Sequence, residues 1–253
     1  MIYDLQKASM WKRISAFLFD AILLSVVAVL CAWLLSVALG YDGYSATLND
    51  AYARYGESYG VDFNMSLTEY ESMTAEQAAN LDAAYAALSA DEEALYAYNM
   101  LIQLTLLITT FGLLLGFVVM EFTIPMLFGN GQTLGKKIFG LGLMHTDGVQ
   151  VNGRTMFIRT ILGKYAIETM IPVLIILMIY FNILGLIGTL VLLGIGLVQI
   201  VMVIATHTNS LIHDVLAATV AVDIGSQMIF KDRAAMIAYK EKVHAEKAAR
   251  QDY

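Results

Sequence analysis

The sequence predicts an all-α integral membrane protein: a bundle of four transmembrane helices with an acidic, external helical insert between the first two. Hydrophobic residues make up 58% of the 253 positions and charged residues only 15%, whereas soluble domains carry about 45–50% apolar and about 25% charged residues. The apolar residues are also grouped into long blocks. About 18 consecutive apolar residues are enough to cross a hydrocarbon core that is about 30 Å thick.

The first two apolar blocks each predict one transmembrane helix. Residues 14–39 contain a single charged residue, Asp20, and residues 100–128 contain only Glu121. Each block is long enough for one span and too short for two spans with a connection between them.

The third apolar block, residues 171–205, contains no charged residue and is too long for one upright helix. Asn182 and Gly185 near its middle favour a turn, so we divide it into spans at residues 166–182 and 184–205. The alternative is one long, tilted helix. Residues 211–222 are apolar but too short to cross the membrane, and they predict an interfacial or re-entrant helix after the fourth span.

The distribution of basic residues predicts the orientation. Of the 15 lysines and arginines, all except Arg54 lie in residues 1–13, in residues 129–165 or from Lys231 onward. Basic residues in short segments that flank membrane helices mark the cytoplasmic side. The three basic segments share one side only if the number of spans is even. Four spans therefore predict that both termini are cytoplasmic.

Residues 40–98, between the first two spans, differ in character from the rest of the chain. They hold half of the 22 acidic residues and nine of the 14 tyrosines. Capping-box patterns at Ser66, Thr74 and Ser89 predict short helices that begin one residue later, the last of them running into the second span. We interpret this segment as an outward-facing helical insert whose acids are solvated. Weak binding of cations is the alternative.

The predicted domains follow from these boundaries. Residues 1–39 form the N-terminus and the first span, and residues 40–98 form the insert. Residues 99–226 form the membrane core with the other three spans, the basic loop and the interfacial helix. Residues 227–253 form a charged cytoplasmic tail.

The basic loop after the second span predicts two small elements. Apolar residues at positions 134, 138 and 141 are spaced for one face of a helix, with Lys136 and Lys137 between them. Such a stripe lies in the membrane interface, where its lysines reach lipid headgroups. Asp147-Gly148 between two apolar runs predicts a β-hairpin of residues 141–146 and 149–152.

The chain combines Arg13 and Asp20 in the first span, glycines and lysines between Gly131 and Lys137 in the basic loop, and His213-Asp214 after the fourth span. Together these residues give it a strong resemblance to the RDD family of bacterial membrane proteins. That family is named for an arginine and an aspartate of the first helix and for a second aspartate. Arg13 and Asp20 match the first two positions, and Asp214 is our choice for the third, with Asp147 as the alternative. The other matching residues are Gly131, Gly135, Lys136 and Lys137 in the basic loop and His213 beside Asp214.

The resemblance covers about residues 10–40 and 100–225, and it leaves out the insert. It implies a multi-pass protein of the bacterial cell membrane. It leaves the activity largely open, although transport is suspected in the family and cation–proton exchange is proposed for some members.

Three polar side chains are predicted to lie at one depth in the membrane. Asp20, Glu121 and Gln199 are each seven residues from the cytoplasmic side of their helices, which is about 10 Å of helical rise. An ionised group that faces lipid there costs several kcal/mol, so we expect the three side chains to face one another. Arg13 is the predicted charge partner of Asp20. One interpretation is a cation or proton site, and the other is a polar clamp that holds the helices together.

Two functions from different classes therefore remain open. The first is a transporter or an ion-translocating subunit in which Asp20 and Glu121 carry a cation or a proton. Four helices leave one protomer little room for alternating access, so transport favours a homo-oligomer. The second is a non-catalytic membrane scaffold whose buried charges are structural.

Other classes are not expected. No nucleophile with a neighbouring base is recognisable, so we predict no enzyme and no cofactor. His207 and His213 do not share a helical face, which argues against a metal site. The net charge of −7 argues against nucleic acid. The lipid bilayer is the expected partner, and His213 with Asp214 is expected to anchor the interfacial helix to Lys136, Lys137 or Arg13.

Overall fold

The computed structural model describes residues 7–249, and four of its helices are long and apolar enough to cross a membrane. In chain order the elements are α1 (Met10–Ala38), α2 (Tyr41–Tyr59), α3 (Leu67–Glu71), α4 (Ala75–Ala90), α5 (Glu92–Phe128), α6 (Leu134–Ile138), β1 (Leu141–His145), α7 (Gly153–Tyr180), α8 (Gly185–Ala205), α9 (Ile212–Leu216), β2 (Thr219–Asp223) and α10 (Arg233–Ala249). The four predicted spans correspond to α1, α5, α7 and α8.

The division of the third apolar block into two helices is confirmed. Asn182 has φ 57° and Gly185 has φ 46°, and these left-handed conformations reverse the chain between α7 and α8. The helix that carries the third span begins at Gly153, well before the predicted start of the span at Ala166. Asn152 caps the helix start at Gly153, since its side-chain oxygen accepts a hydrogen bond from Thr155 N–H at 3.0 Å.

Two of the long helices contain a π-helical segment. In α5 it spans Val118–Thr123 and in α7 it spans Ile158–Met170. Both prolines of the chain, Pro125 and Pro172, follow these segments at the same spacing. Proline has no N–H and its ring clashes with the carbonyl four residues earlier, so the helix widens before it. Ile124 and Ile171 accordingly donate their N–H groups to carbonyls five residues back. Such π segments often coincide with functional positions.

The chain packs as two compact units, one of which is Leu30–Gly112. This unit contains the insert, in which Ala51 of α2 and Leu88 of α4 are buried against Phe63. The capping boxes at Ser66 and Thr74 are confirmed. The third is wrong, because Asp91 caps α5 by accepting from Glu93 N–H and Ala94 N–H.

Helix α2 is an element of the insert that the capping patterns do not predict. It follows Gly40, which has a left-handed conformation and no side chain to make a capping hydrogen bond. A helix that starts in this way leaves no polar capping residue in the sequence as a signal.

The other unit contains the rest of the chain, including a small antiparallel sheet. β1 pairs with β2, with Leu141 opposite Asp223 and His145 opposite Thr219. The interfacial helix predicted over residues 211–222 is therefore wrong in its second half. Only Ile212–Leu216 is helical, and Ala218, with φ 49°, turns the chain into β2.

The basic loop also differs from the prediction. A turn does form at Gly148, where His145 N–H donates to Val149 O at 2.8 Å, but the predicted hairpin is reduced to a single bridge between Met144 and Gln150. The predicted amphipathic stripe ends with α6 at Ile138. Leu141 lies in β1 and is only 1% exposed, so it does not reach lipid.

A close contact between α7 and α9 depends on glycine. A Cβ atom on Gly163 would lie 2.5 Å from His213 Cβ and 2.7 Å from His213 Cα. No side chain fits at these distances, so the absence of one at Gly163 is what allows α9 to lie directly on the π-helical segment of α7.

Substitution of Gly163 by alanine should separate these two elements. We expect Gly163→Ala to lower the free energy of unfolding by about 1–3 kcal/mol, the usual cost of overpacking. This loss of stability is measured as a lower midpoint of thermal unfolding in detergent. Gly194→Ala in α8 is the matched control, because no atom lies within 4 Å of its added Cβ. Equal midpoints for the two variants would contradict the close contact.

Candidate functional site

A cavity of about 350 Å³ lies beside α1. Residues from α1, α5, α7 and α8 line it, together with residues of α6, β1, α9 and β2. Eight of the lining residues carry ionisable groups: Arg13, Asp20, Glu121, Lys136, Arg159, Lys164, His213 and Asp214. This is a concentration of charge within an otherwise apolar part of the chain.

The Asp214 carboxylate is the centre of the largest ionic group. Arg159, which is 3% exposed, donates to Asp214 Oδ1 and also to Thr219 Oγ1 at 2.7 Å. Arg13 Nη2 lies 3.6 Å from the other carboxylate oxygen. Burial raises the pKa of Asp214, but the charge and hydrogen bond of Arg159, together with the charge of Arg13, outweigh burial and hold the pKa well below its usual range.

Glu121 forms a second ionic pair, with Lys164. The two residues lie in the π-helical segments of α5 and α7, and Lys164 Nζ is 2.6 Å from Glu121 Oε2. The same segments are joined by Thr160, whose hydroxyl donates to the backbone carbonyl of Glu121 at 2.9 Å. The wide helical turns thus bring a carboxylate and an ammonium together at the cavity wall.

Asp20 has neutral donors rather than Arg13. The Thr133 hydroxyl donates to Asp20 Oδ2, and Gly135 N–H donates to Asp20 Oδ1 at 2.7 Å. A Cβ on Gly135 would lie 2.4 Å from Ala16 O, so only glycine allows α6 to approach α1 this closely. Arg13 pairs with Asp214 instead, because Arg13 and Asp20 are seven positions apart and so lie at different levels of α1.

His213 lines the cavity and is held by Glu168, which does not line it. Glu168 Oε2 lies 2.6 Å from His213 Nδ1, and Glu168 Oε1 accepts from His213 N–H at 2.9 Å. Gln199 does not line the cavity with Asp20 and Glu121, and its buried Oε1 has no hydrogen-bond partner among the described residues. Burial and the charge of Arg159 lower the pKa of His213, against the opposing effects of Asp214 and Glu168.

The two lysines of α6 have different surroundings. Lys136 lines the cavity, and Thr133 caps its helix by accepting from Lys136 N–H at 3.3 Å. Burial and the nearby charge of Lys164 lower the pKa of Lys136 to about 8. Lys137 does not line the cavity, and its Nζ lies 3.7 Å from the centre of the Phe128 ring.

No metal centre accompanies these charges in the described part of the chain. Among residues 7–249, no three or more histidine, cysteine, aspartate or glutamate side chains are arranged to hold a metal ion. The carboxylates at the cavity have hydrogen-bond donors or cations as their nearest polar partners instead.

Comparison with known proteins identifies the family of this chain. The family model described as the RDD family matches residues 7–218, most of the chain. The chain belongs to the RDD family. It is accordingly a membrane protein with apolar helices. No curated protein and no solved structure was found to match it. Every ionisable residue at the cavity of this RDD protein lies within the matched range.

Three charged residues of the site are ones that the sequence did not single out for it. Arg159, Lys164 and Glu168 fall within or next to the basic loop, where charge is ordinarily solvated. One sequence signal does point to them. Lys164 follows Arg159 by five positions and Glu168 follows Lys164 by four, directly before an apolar block. Residues five positions apart share a helical face only in a π-helix.

Neutralising Asp214 should be costly, because it leaves two arginines without their carboxylate. We expect Asp214→Asn to lower the free energy of unfolding of the RDD protein by about 3–5 kcal/mol. Thermal or denaturant unfolding in detergent provides the measurement. Asp223→Asn is the matched control. Asp223 pairs with Lys12, and the two side chains are 26% and 47% exposed, respectively. Exposed ion pairs contribute only about 0–1 kcal/mol to stability.

The lowered pKa of His213 predicts a loss of stability in mild acid. Below its ordinary pKa of 6.5, His213 binds a proton in the unfolded chain before it does so in the fold, so stability falls as the pH falls. We expect the unfolding midpoint to drop between about pH 7 and pH 5, and to drop less in His213→Gln. His207→Gln, which changes an exposed imidazole, should follow the unchanged protein. Identical pH profiles for the protein and His213→Gln would rule this out.

Proposed function

We propose that this RDD protein is a transporter or an ion-translocating subunit whose binding site is the charged cavity. One observation carries the proposal: all four long helices contribute residues to one cavity that is lined by eight ionisable groups. Charged groups at membrane depth are expensive, and they commonly mark ion or substrate pathways.

In this proposal, Asp20 and Glu121 are the groups that take up a proton or a cation. A proton on Glu121 would cancel its attraction for Lys164, 2.6 Å away, and free the ammonium to interact with a solute. A proton on Asp20 would weaken its bonds to Thr133 and Gly135 and so loosen α6 from α1. Each carboxylate therefore couples its charge to the position of a cavity wall.

The proposed topology places both termini and residues 129–152 in the cytoplasm of a bacterial cell, with the insert outside. Pairing within the unit that contains the cavity supports it. Ala8 N–H donates to Ala221 O at 3.3 Å, β2 pairs with β1, and Arg233 of α10 contacts Asp147 at 3.0 Å. Segments that touch lie on one side of a membrane, which favours an even number of crossings between them. A homo-oligomer would supply the space that four helices lack for alternating access.

A scaffold is the second candidate, and a specific observation favours it. The carboxylates of Asp20, Glu121 and Asp214 each have close partners. Paired groups of this kind can hold helices together without carrying anything. In that case the loss of one partner would lower stability and leave any flux unchanged.

Proton flux in proteoliposomes separates the two candidates. The full chain is reconstituted with a pH-sensitive dye inside the vesicles, and a pH gradient is imposed with sodium or potassium present. We expect the protein to dissipate the gradient, and Glu121→Gln and Asp20→Asn to reduce the rate to that of protein-free vesicles. Each removes the charge of a carboxylate that we assign to proton or cation uptake.

The control is Glu71→Gln, which neutralises an exposed carboxylate of the insert and should leave the rate unchanged. Detergent unfolding midpoints of all variants are measured alongside. Flux that persists in both cavity variants, together with lowered midpoints, would reject translocation through these carboxylates and favour the scaffold.

A further inference from the structure

More cationic side chains than carboxylates line the cavity. Four of its lining residues are cationic, namely Arg13, Lys136, Arg159 and Lys164, and three are carboxylates. Asp214 pairs with both arginines and Glu121 pairs with Lys164. Asp20 accepts from Thr133 and Gly135. Within residues 7–249, this leaves the Lys136 ammonium with no carboxylate at ion-pair distance.

The position of Lys136 is fixed by its neighbours. Gly135 N–H donates a hydrogen bond to Asp20 of α1, and Thr133 caps the helix that carries Lys136. The Lys136 side chain lines the cavity and is only partly exposed. Burial and the charge of Lys164 lower the pKa of Lys136, and the weaker attraction of Glu121 and Asp20 does not offset them. This agrees with an ammonium whose lost hydration is only partly replaced.

Part of the cavity wall, on α1, is apolar. Met10, Ile14 and Phe17 line it, yet they are also 39%, 41% and 61% exposed on the surface of α1. Their spacing places them on one face of the helix. The apolar wall of the cavity is thus continuous with the apolar outer surface of α1, which is the surface that acyl chains would cover.

We propose that this cavity binds an anionic amphiphile, with the anionic headgroup paired to Lys136 and an acyl chain lying along Met10, Ile14 and Phe17. The excess positive charge selects an anion, and the apolar wall that opens toward lipid selects one with a hydrocarbon chain. A phospholipid phosphate fits both. The inference rests on the proposed function in that it names the solute class for the same cavity, but binding is measurable without flux.

Binding of phosphatidylglycerol to the full chain tests this inference. The protein is held in phosphatidylcholine nanodiscs, phosphatidylglycerol is added stepwise, and the unfolding midpoint is recorded. A ligand that binds only the fold raises the midpoint in a saturable way. We expect this rise in the unchanged protein and in Lys136→Arg, and its loss in Lys136→Gln.

Matched variants separate the cavity from the general attraction of a basic loop for anionic lipid. Lys137→Gln removes the adjacent charge outside the cavity and should bind as the unchanged protein does. Phe17→Ala should weaken binding, whereas Phe19→Ala, on the same helix but outside the cavity, should not. These two phenylalanine variants keep the test decisive if Lys136→Gln does not fold. Equal losses in both lysine variants, or in both phenylalanine variants, overturn the inference.

Inorganic phosphate distinguishes the source of the anion. Added alone to phosphatidylcholine nanodiscs, it should raise the midpoint little. A Lys136-dependent rise as large as that with phosphatidylglycerol would overturn the lipid assignment. Flux that depends on Glu121 without Lys136-dependent lipid binding overturns this inference alone. Lys136-dependent lipid binding without flux supports it and overturns only the proposed function.

Discussion

The Asp214 carboxylate lies between two guanidinium groups that belong to different long helices. Arg159 comes from α7 and Arg13 from α1, and Asp214 itself is on the short α9 that leads into β2. Removing ionised groups from water costs several kcal/mol each unless partners replace the lost hydration. Neither arginine can therefore withdraw without leaving charge unmatched. This one carboxylate fixes the beginning of α1, the π-helical segment of α7 and the start of the sheet relative to each other.

Helix α1 is also joined to α6, through the carboxylate of Asp20. Asp20 binds α6 through a backbone N–H, so this contact depends on the absence of a side chain at Gly135 rather than on an opposite charge. The cavity lies beside the part of α1 from Met10 to Asp20. Its walls are consequently held by polar bonds that a change of charge could alter, whereas purely apolar packing around it would be indifferent to protons or ions.

The sequence predicted the four long helices because block hydrophobicity and the turn at Asn182 are local signals. It also predicted Asp20 and Glu121 as buried groups, since rare charges in apolar helices have few other places to go. It predicted Arg13 as one of three candidate partners of His213 and Asp214, and Arg13 does lie beside Asp214. It did not predict Arg159 as the main partner of Asp214 or Lys164 as the partner of Glu121. The π-helical segment of α7 changes which residues share a face, so Arg159 and Lys164 were assigned to a loop. β2 was assigned to a helix because its partner, β1, is distant in the chain, and pairing at that separation has no local signature.

The pairing of β1 with β2 links two strands between which α7 and α8 are synthesised. Until β2 is synthesised, β1 has no second strand, and Arg159 has no Asp214. If only one of the two helices crossed, β2 would emerge across the membrane from β1, and neither the sheet nor the ion pair could form. The sheet and the ion pair between Arg159 and Asp214 therefore require that α7 and α8 together return the chain to the side on which β1 lies.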